Sequence, residues 1–513
     1  MIIALVGTLS LAYVLQRALK FWNTCRAIGH WPGYRTVFFQ GHPVGMVLPA
    51  IRGIAPGSNH SYYNKHKVFA SIGWDAYCGV AAFPPVNTLV LADAAAIKEV
   101  HSSSNRFSKG PIPLLMFFGP NIVSSAGEEW KKYKKICAPA FSDRNNKLVW
   151  DETLKIVQEM FDVRWKGKDV ITLDHAVEIT LPIALSVIGV AGFGQTMSWK
   201  DEQTIPPGHK LSFQKATKLT ISNLFLNLLI PDWLPSFTER LRTARLAFSE
   251  FRQYMSEMVD ARQALGGSPQ HDLFSNLLEA NEGDDSGQKL TKDELIGNVF
   301  IFLLAGHETT AHTLCFAFAL LALYPEEQDK LYEHISSVFS GSDMPTYSQM
   351  PLLTRSQVVL NETLRMFPPV PVVPKYVVED TTLRIGNIQG QTTVLTVPAE
   401  TKVFFSVAGL HYNPRYWKDP YTFNPDRFLQ DWPRDAFLPF SGGPRACLGR
   451  RFFETEAIAV LSIIVSRYKI EIKEEPQFAG ETFKQKCDRV LDAKNRITVT
   501  PTRVPLVFKR RDL

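Results

Sequence analysis

The amino-terminal end of the chain is a continuous apolar stretch. Residues 1–15 carry no charge, and the first basic residues, Arg17, Lys20 and Arg26, all follow this stretch. A membrane-spanning helix needs about 20 apolar residues, with a lower limit of about 17, and the segment reaches that limit when Arg17 and Lys20 extend to the headgroups. A signal peptide would carry basic residues before the apolar run. Residues 1–22 are therefore predicted to form a membrane anchor, with a cleaved signal and a buried helix as the alternatives.

The rest of the chain shows two hydrophobic periods. Residues 76–93 have the pattern of two strands joined by a turn at Phe83-Pro84-Pro85, which predicts a β-hairpin. Short strands are also predicted over 376–388 and 394–397. Beyond residue 128 apolar positions recur at helical spacing, and the predicted helices span 128–135, 145–165, 174–190, 241–265, 291–324, 326–339, 353–366 and 448–468. No linker rich in proline, glycine or serine divides the chain, so residues 23–513 are expected to form one mainly α domain with a smaller β portion.

The longest predicted helix, 291–324, has a clear start and a clear end. Thr291 and Glu294 stand three residues apart, as in a capping box, and Pro325 ends the helix. Between them the helix is apolar almost all round, which is typical of a helix in the middle of a large protein or in a bilayer. Polar residues over 306–312 weaken the bilayer interpretation, because polar groups are costly in lipid.

These polar residues resemble a zinc site only superficially. His307 and His312 are five residues apart, whereas the H-E-x-x-H motif needs a separation of four. They therefore lie about 140° apart around the helix axis and are not expected to share a metal ion. Ala305 and Gly306 leave a notch in the helix next to Glu308 and Thr309. The notch suits a small ligand beside a proton source, and close packing of another helix against it is the alternative.

Composition and charge exclude several classes of protein. The 513 residues are 45% hydrophobic and 21% charged, which excludes disorder and low complexity. The net charge of +6 is too weak to indicate nucleic-acid binding, although it is compatible with an anionic membrane surface or an acidic protein partner. The six cysteines form no C-x-x-C pair, so neither a disulfide scaffold nor a thiolate zinc knuckle is expected, and a reducing, cytosolic environment is the simpler interpretation.

One cysteine, Cys447, stands in the sequence F-S-G-G-P-R-A-C-L-G, just before a predicted helix. Backbone amides at a helix start favour a thiolate, and Gly443 permits a tight turn with positive φ. Phe440 can pack on the loop, and Gly449 allows a flat ligand to come close to the backbone. Arg445 supplies a fixed cation that suits a carboxylate.

Together with three further motifs, this loop resembles the cytochrome P-450 (haem-thiolate) monooxygenases. The pattern F-x-x-G-x-R-x-C-x-G looks like that family's haem-binding loop, and residues 305–310 (A-G-H-E-T-T) resemble its oxygen-binding helix motif. Residues 362–365 match its E-x-x-R motif, and residues 423–428 (F-N-P-D-R-F) are similar to its F-x-P-x-R-F motif. The four motifs occur in the family's order, and the resemblance covers about residue 31 to the C-terminus. It implies the cytochrome P-450 fold, of the microsomal type when the anchor is included.

The resemblance also implies roles for individual residues. Cys447 would ligate the iron of haem b, and Phe440, Gly443 and Gly449 would belong to the loop that binds the cofactor. A thiolate ligand favours O–O cleavage over reversible binding of O₂. On the opposite side, the expected catalytic residues would leave room for O₂, donate a hydrogen bond and help to deliver protons; they are Ala305, Gly306, Glu308 and Thr309.

The haem propionates need cations and hydrogen-bond donors. By resemblance, Arg445 and the indole of Trp130 fit these roles. Two positions depart from the family pattern, because Lys134 and Lys375 stand where an arginine is common, and lysine has no bidentate fork. Both lysines are nevertheless expected to face the propionates.

Glu362, Arg365 and Arg427 are expected to form a buried charge network with a structural role. The resemblance places basic residues on the face that receives electrons, and an NADPH-dependent flavoprotein reductase is the expected partner, with an ordinary solvated basic surface as the alternative. These residues are Lys131, Lys132, Lys135, Arg450 and Arg451.

Evidence about the substrate comes from apolar segments. By resemblance, residues 107–121 lie over the pocket, including Leu114, Leu115, Met116, Phe117 and Phe118. The segment 220–237 is strongly apolar and is expected to dip into the bilayer, and Val370, Val372 and Val373 are expected to face the haem. Plain core packing is the alternative for each of these residues.

The chain is thus expected to be a monooxygenase of the endoplasmic reticulum membrane, with a cytosolic catalytic domain and contacts to membrane lipid. It would insert one oxygen atom from O₂ into a small lipophilic molecule such as a terpenoid or another secondary metabolite. Two alternatives remain: a haem protein that binds or senses without oxygenating, and a haem-thiolate isomerase or dehydratase. Glu308 and Thr309 favour oxygenation, because the alternatives have no need of an acid and an alcohol there.

Overall fold

A computed structural model describes residues 2–511 except 41, 43, 46–47, 111, 113–114, 196–198, 200–204, 225, 227–237, 265–271, 283–288 and 340–343. The described helices are α1 (Ile2–Ala27), α2 (His60–Asn64), α3 (Lys67–Ile72), α4 (Ala94–Ser102), α5 (Gly127–Cys137), α6 (Asp143–Glu159), α7 (Val177–Val187), α8 (Phe213–Ser222), α9 (Glu239–Ala264), α10 (Leu273–Glu282), α11 (Lys292–Leu323), α12 (Pro325–Phe339), α13 (Thr354–Met366), α14 (Val407–His411), α15 (Arg450–Arg467) and α16 (Phe483–Val490). Most of them coincide with the predicted helices, which confirms a mainly helical fold.

The described strands are β1 (Gly33–Thr36), β2 (Ala76–Ala82), β3 (Pro85–Leu91), β4 (Phe107–Ser108), β5 (Val170–Leu173), β6 (Val372–Val377), β7 (Thr381–Gly386), β8 (Thr392–Val397), β9 (Lys402–Ser406), β10 (Tyr468–Ile472), β11 (Ala493–Asn495), β12 (Val499–Pro501) and β13 (Leu506–Arg510). The predicted hairpin is β2 and β3, which pair antiparallel from Ala76↔Leu91 to Ala82↔Pro85. The β segment predicted over 376–388 covers the end of β6 and the whole of β7.

The chain divides into two compact units. The first comprises Met1–Gly110, Asn361–Cys447 and Asp492–Thr502. Its main sheet has the strand order β1-β2-β3-β9-β6-β4, so strands from distant parts of the sequence lie side by side. A buried aromatic cluster that includes Phe39, Phe69, Tyr77 and Phe404 packs this unit, because burial of such side chains is strongly favourable.

The second unit comprises Pro111–Leu360, Leu448–Leu491 and Arg503–Leu513. Its longest helix, α11, begins with the predicted capping box: the hydroxyl of Thr291 accepts from the amide of Glu294, and the Glu294 carboxylate accepts from the amide of Thr291 at 2.7 Å. The helix is long and apolar enough to cross a membrane, but 72% of its most apolar window is buried. It is therefore the core helix of this unit. Strands β10, β13 and β5 form an antiparallel sheet in the same unit.

Helix α1 extends five residues beyond the predicted end of the anchor at residue 22. Its carboxyl end packs in the first unit, where Cys25 and Ile28 lie in one buried cluster with Cys78 and Val80. Earlier in the helix, large apolar side chains are exposed, among them Leu9, Leu11, Val14, Leu15, Leu19 and Trp22. The division of the chain at residues 22 and 23 stays a prediction.

The apolar residues expected near the substrate differ in how far they are described and in how far they are buried. Residue 114, as well as 225 and 227–237 of the predicted bilayer segment, lies outside the described residues. Phe118 is buried against Phe248, Phe251 and Phe300, which supports the core-packing alternative for this side chain. Val372 packs against the aromatic cluster of the first unit. Met116 and Val370 remain exposed, at 38% and 44%.

Candidate active site

The loop that carries Cys447 folds tightly onto itself. The amide of Cys447 donates to the carbonyl of Phe440 at 2.9 Å, and the amide of Ala446 donates to the carbonyl of Gly443 at 3.1 Å. Unlike the buried Cys25, Cys78, Cys137 and Cys315, Cys447 is exposed. Cys447 thus has the exposure that an iron-binding cysteine needs. Two residues further along the chain, Gly449 is the N-cap of α15.

Gly443 is required by this loop for two reasons. Its φ of 63° lies in the left-handed region, where a residue with a side chain is strained. A Cβ on Gly443 would also stand 3.1 Å from the carbonyl oxygen of His101 in α4. The loop thus lies directly against the end of α4, and a larger residue would push it away.

Three cations gather near this loop. Burial together with Arg445 and Lys375 lowers the pKa of Lys109 to about 7. Burial and Arg445 also lower the pKa of Lys375, which is only 7% exposed, and burial lowers that of Arg445 to about 10. Mutual repulsion of buried cations is unfavourable, and an anionic ligand would relieve it. The arrangement fits the two carboxylates of a haem.

Lys109 was not predicted from the sequence. It follows β4, whose residue Ser108 pairs with Tyr376 of β6, the strand that carries Lys375. This pairing joins residues that are remote in sequence, so no local signal indicated it. The neighbouring His101 stays neutral, because burial and the charge of Lys375 lower its pKa to about 4.

Trp130 and Lys134 lie one turn apart on α5. The ammonium of Lys134 stands over the indole ring of Trp130, 5.2 Å from its centroid, in a cation–π contact. The two residues predicted to face the propionates therefore occupy the same side of this helix. An indole N–H and an ammonium are both donors and can serve an anionic group.

In the middle of α11 a short stretch of exposed and half-exposed residues interrupts the buried surface of the helix. Ala305 is exposed, and Gly306, Glu308 and Thr309 are partly exposed, whereas residues 295–304 are buried. The hydroxyl of Thr309 donates to the carbonyl of Ala305 at 2.7 Å. Its oxygen can therefore still accept a hydrogen bond from a ligand. This accessible patch, with an acid and an alcohol beside it, fits a site where a small molecule and protons meet.

The two histidines of this part of α11 are turned away from the accessible patch. His307 and His312 are both buried. His307 Nδ1 donates to the carbonyl of Leu303 at 2.7 Å, and burial lowers its pKa to about 4, so the ring is neutral. The Leu303 carbonyl thus fixes the orientation of the His307 ring.

The predicted charge network is assembled within the first unit. Arg365 donates to both oxygens of Glu362, at 2.7 and 2.9 Å, and Arg427 donates to Glu362 Oε1 at 3.0 Å. Glu362 and Arg365 are completely buried. Arg365 also donates to the carbonyl of His411 at 2.8 Å. Removing one member of such a network would leave an uncompensated buried charge, which is strongly destabilising.

The predicted basic surface is partly engaged in contacts within the chain. Lys132 donates to both oxygens of Glu294 at 2.9 and 3.0 Å, and both side chains are mostly buried. It is therefore a structural partner of the α11 capping box and not a free surface charge, contrary to the prediction. Arg450 pairs with Glu454 on α15. Lys131 stays well exposed beside Glu128.

Comparison with known proteins identifies the family. The family model for Cytochrome P450 matches residues 80–492. The chain belongs to the cytochrome P450 family. This P450 is 49% identical over 519 aligned positions to Cytochrome P450 monooxygenase 124 of Postia placenta, with 100% of this chain and 99% of that protein covered. It is 29% identical to Cytochrome P450 monooxygenase ORF6 of Penicillium roqueforti, with 82% and 79% covered. A Phomenoic acid biosynthesis cluster cytochrome P450 monooxygenase of Leptosphaeria maculans is 27% identical, with 74% and 72% covered.

Family membership confirms the reaction class. This P450 is a haem oxidoreductase of the monooxygenase type, and its family uses a cysteine-ligated haem, dioxygen and a redox partner. The uncovered Cys447 and the cation cluster agree with such a cofactor.

Proposed function

We propose that this P450 is a membrane-anchored enzyme that inserts one oxygen atom from O₂ into a small lipophilic substrate. Electrons come from NADPH through a separate flavoprotein reductase. The observation that carries the proposal is the exposure of Cys447 in a tight loop that also carries Arg445. A thiolate there meets the requirement of haem-thiolate chemistry.

The residues that would hold the cofactor follow from their chemistry. Cys447 is the iron ligand, and Lys109, Lys375 and Arg445 neutralise propionates. An anion would compensate the burial that lowers the pKa values of all three, and the repulsion by neighbouring cations that adds to it for Lys109 and Lys375. Trp130 and Lys134 supply further donors. Arg445 is the strongest candidate for a bidentate contact, since only the guanidinium has a planar fork.

Bound haem supplies dioxygen activation by a thiolate-ligated iron. The residues of this chain then leave space for dioxygen and deliver protons. Ala305 is small and exposed, and its carbonyl accepts a hydrogen bond from the Thr309 hydroxyl at an oxygen–oxygen distance of 2.7 Å. The lone pairs of the Thr309 oxygen can therefore accept a further hydrogen bond. Glu308, one residue earlier, can accept and release protons as a general acid–base group.

Helix α1 supports attachment to a membrane. Leu9, Leu11, Val14 and Leu19 are each at least 60% exposed, which is costly in water and favourable in lipid. Arg17 and Lys20 follow the apolar part, so the positive-inside rule places the remaining chain on the cytosolic side. We assign the enzyme to the endoplasmic reticulum membrane, where a membrane-bound reductase can reach it.

The substrate class is a lipophilic secondary metabolite, such as a terpenoid. Access from a membrane suits a molecule that partitions into lipid. One relative takes its name from a phomenoic acid biosynthesis cluster, and this supports secondary metabolism for the present enzyme.

The test is expression in microsomes with a flavoprotein reductase. The reduced carbon monoxide adduct of the wild type should show the Soret band typical of thiolate ligation, and Cys447→Ser should abolish it. Cys487→Ser is the matched control, because Cys487 is half-buried and stands on α16. Lipophilic compounds that shift the haem spectrum should then consume NADPH and O₂ and gain one oxygen atom by mass. A normal carbon monoxide band with conversion that needs no O₂ would favour the isomerase or dehydratase alternative.

A further inference from the structure

His209 lies between two carboxylates in the second unit. It stands in the segment 205–212, directly before α8, and its ring contacts α9. Nδ1 is 3.1 Å from Glu250 Oε2, and Nε2 is 3.0 Å from Glu257 Oε2. The His209 side chain is only 3% exposed. Both nitrogens of one buried ring thus meet acidic groups of the same helix.

The surroundings fix the ring firmly. It stacks on Tyr254 with a centroid separation of 3.7 Å and an interplanar angle of 5°. The hydroxyl of Tyr254 donates to the carbonyl of Leu211 at 2.8 Å. Glu250 Oε2 also accepts the amides of Lys210 and Leu211, at 2.9 and 3.3 Å. The segment is therefore held to α9 through His209, Glu250 and Tyr254 together.

The two contacts can both be hydrogen bonds in one protonation state of the ring. An ionised carboxylate only accepts hydrogen bonds, so both ring nitrogens must donate, and only the imidazolium has two N–H groups. The carboxylates are ionised: the Lys210 and Leu211 amides and His209 outweigh burial and lower the pKa of Glu250, and Gln253 with His209 lowers that of Glu257. Burial and these two acids raise the pKa of Tyr254 to about 12, so its hydroxyl stays protonated. Within the described part of the chain, the titratable groups placed against the ring are Glu250, Tyr254 and Glu257 of α9, with Lys210 adjacent on its own segment.

We propose that His209, Glu250 and Glu257 form a pH-dependent clasp that fixes the segment 205–212 and the start of α8 to α9. With the imidazolium present, both carboxylates are bonded. When the ring loses a proton, one nitrogen has no N–H and faces a carboxylate oxygen, so one contact changes from attraction to repulsion. Glu250 is 7% exposed and water cannot readily replace the lost donor, so the segment separates from α9 more often as the pH rises. The clasp uses no haem residue and does not depend on the proposed reaction.

Amide hydrogen exchange of the full-length holoenzyme tests the clasp. Peptides covering 206–222 are followed from pH 6 to pH 9, with labelling times scaled to cancel the intrinsic pH dependence. A charge-assisted hydrogen bond corresponds to about a tenfold or larger change in local opening. We therefore expect wild-type protection to fall at least tenfold over this range, and His209→Gln to have low protection already at pH 6 with no further pH dependence.

Two variants complete the test. His334→Gln on α12 removes a histidine elsewhere and should leave peptides 206–222 unchanged. Glu257→Gln changes the more exposed acid, which is 54% exposed, and should give intermediate protection even if His209→Gln folds poorly. An unchanged carbon monoxide spectrum shows that each variant keeps its haem. Wild-type protection that is constant from pH 6 to pH 9, or His209→Gln protection equal to that of the wild type, would overturn the proposal.

Discussion

The side chain of Ile188 fills the space where a side chain at Gly306 would begin. A Cβ on Gly306 would stand 3.1 Å from Ile188 Cδ1 and 3.2 Å from Cγ1. Ile188 begins the π-helical turn Ile188–Gly192 that follows α7. Gly306 therefore allows close packing between this turn and α11, as the packing alternative predicted, while the adjacent Ala305 provides the exposed surface.

Gly306→Ala should reveal this packing through two opposing effects. Replacing glycine by alanine inside a helix favours folding by about 1 kcal/mol, whereas overpacking a core costs about 1–3 kcal/mol. We expect a net destabilisation of about 1 kcal/mol, measured as the free energy of unfolding in urea. In an Ile188→Ala background the clash is absent, so the same change should stabilise the protein by about 1 kcal/mol. Equal effects of Gly306→Ala in both backgrounds would contradict the packing role.

Lys109→Gln should weaken haem retention. Each hydrogen bond to a charged group contributes about 1.5–3 kcal/mol, so haem should transfer to excess apomyoglobin about 10- to 100-fold faster. Lys98→Gln is the matched control, because Lys98 is a well-exposed lysine of the same unit that pairs with Asp435. Equal transfer rates for Lys109→Gln and the wild type would remove Lys109 from the cofactor site.

Haem retention should also depend on pH. In the absence of haem the pKa of Lys109 is about 7, well below the usual lysine value of about 10.4. Between these values the unfolded chain binds more protons, so the haem-free protein becomes more stable as the pH rises. Propionates favour protonated Lys109, and haem binding then takes up a proton. Haem affinity should consequently fall from pH 7 to pH 9, and the slope should be smaller in Lys109→Gln; identical slopes would refute the linkage.

Glu362→Ala should prevent stable haem incorporation. The change leaves Arg365, which is completely buried, without its main partner, and breaking a buried pair costs about 3–5 kcal/mol. We expect loss of the carbon monoxide band and aggregation on expression. Glu379→Ala, at an exposed position, should behave like the wild type. A Glu362→Ala protein with a normal haem spectrum and unchanged thermal stability would show that the network is dispensable.

Structural features that depend on residues close together in the sequence were predicted correctly. The capping box of Thr291 and Glu294 and the hairpin of β2 and β3 lie where the sequence pattern placed them. Contacts between segments that are remote in sequence could not be predicted from such local patterns. Lys109 lies close enough to Lys375 to feel its charge because β4 pairs with β6. Short helices such as α4 and α8 were also missed, because few turns carry too little periodicity to distinguish them from loops.

Lys131 and Lys132 differ in exposure, and this difference tests whether the predicted basic surface binds a reductase. Among the residues that the structure describes, Lys131 forms its ion pair with the exposed Glu128. Such a surface pair contributes little, so Lys131 can interact with an acidic reductase. Lys131→Ala should raise the reductase concentration for half-maximal turnover about two- to fivefold, and added salt should abolish the difference. Lys132→Ala should leave that concentration unchanged and instead lower the free energy of unfolding by about 1 kcal/mol, because it removes a partner of Glu294. Equal effects of the two substitutions on reductase dependence would show that Lys132 also belongs to the docking surface, and turnover insensitive to salt would contradict electrostatic docking altogether.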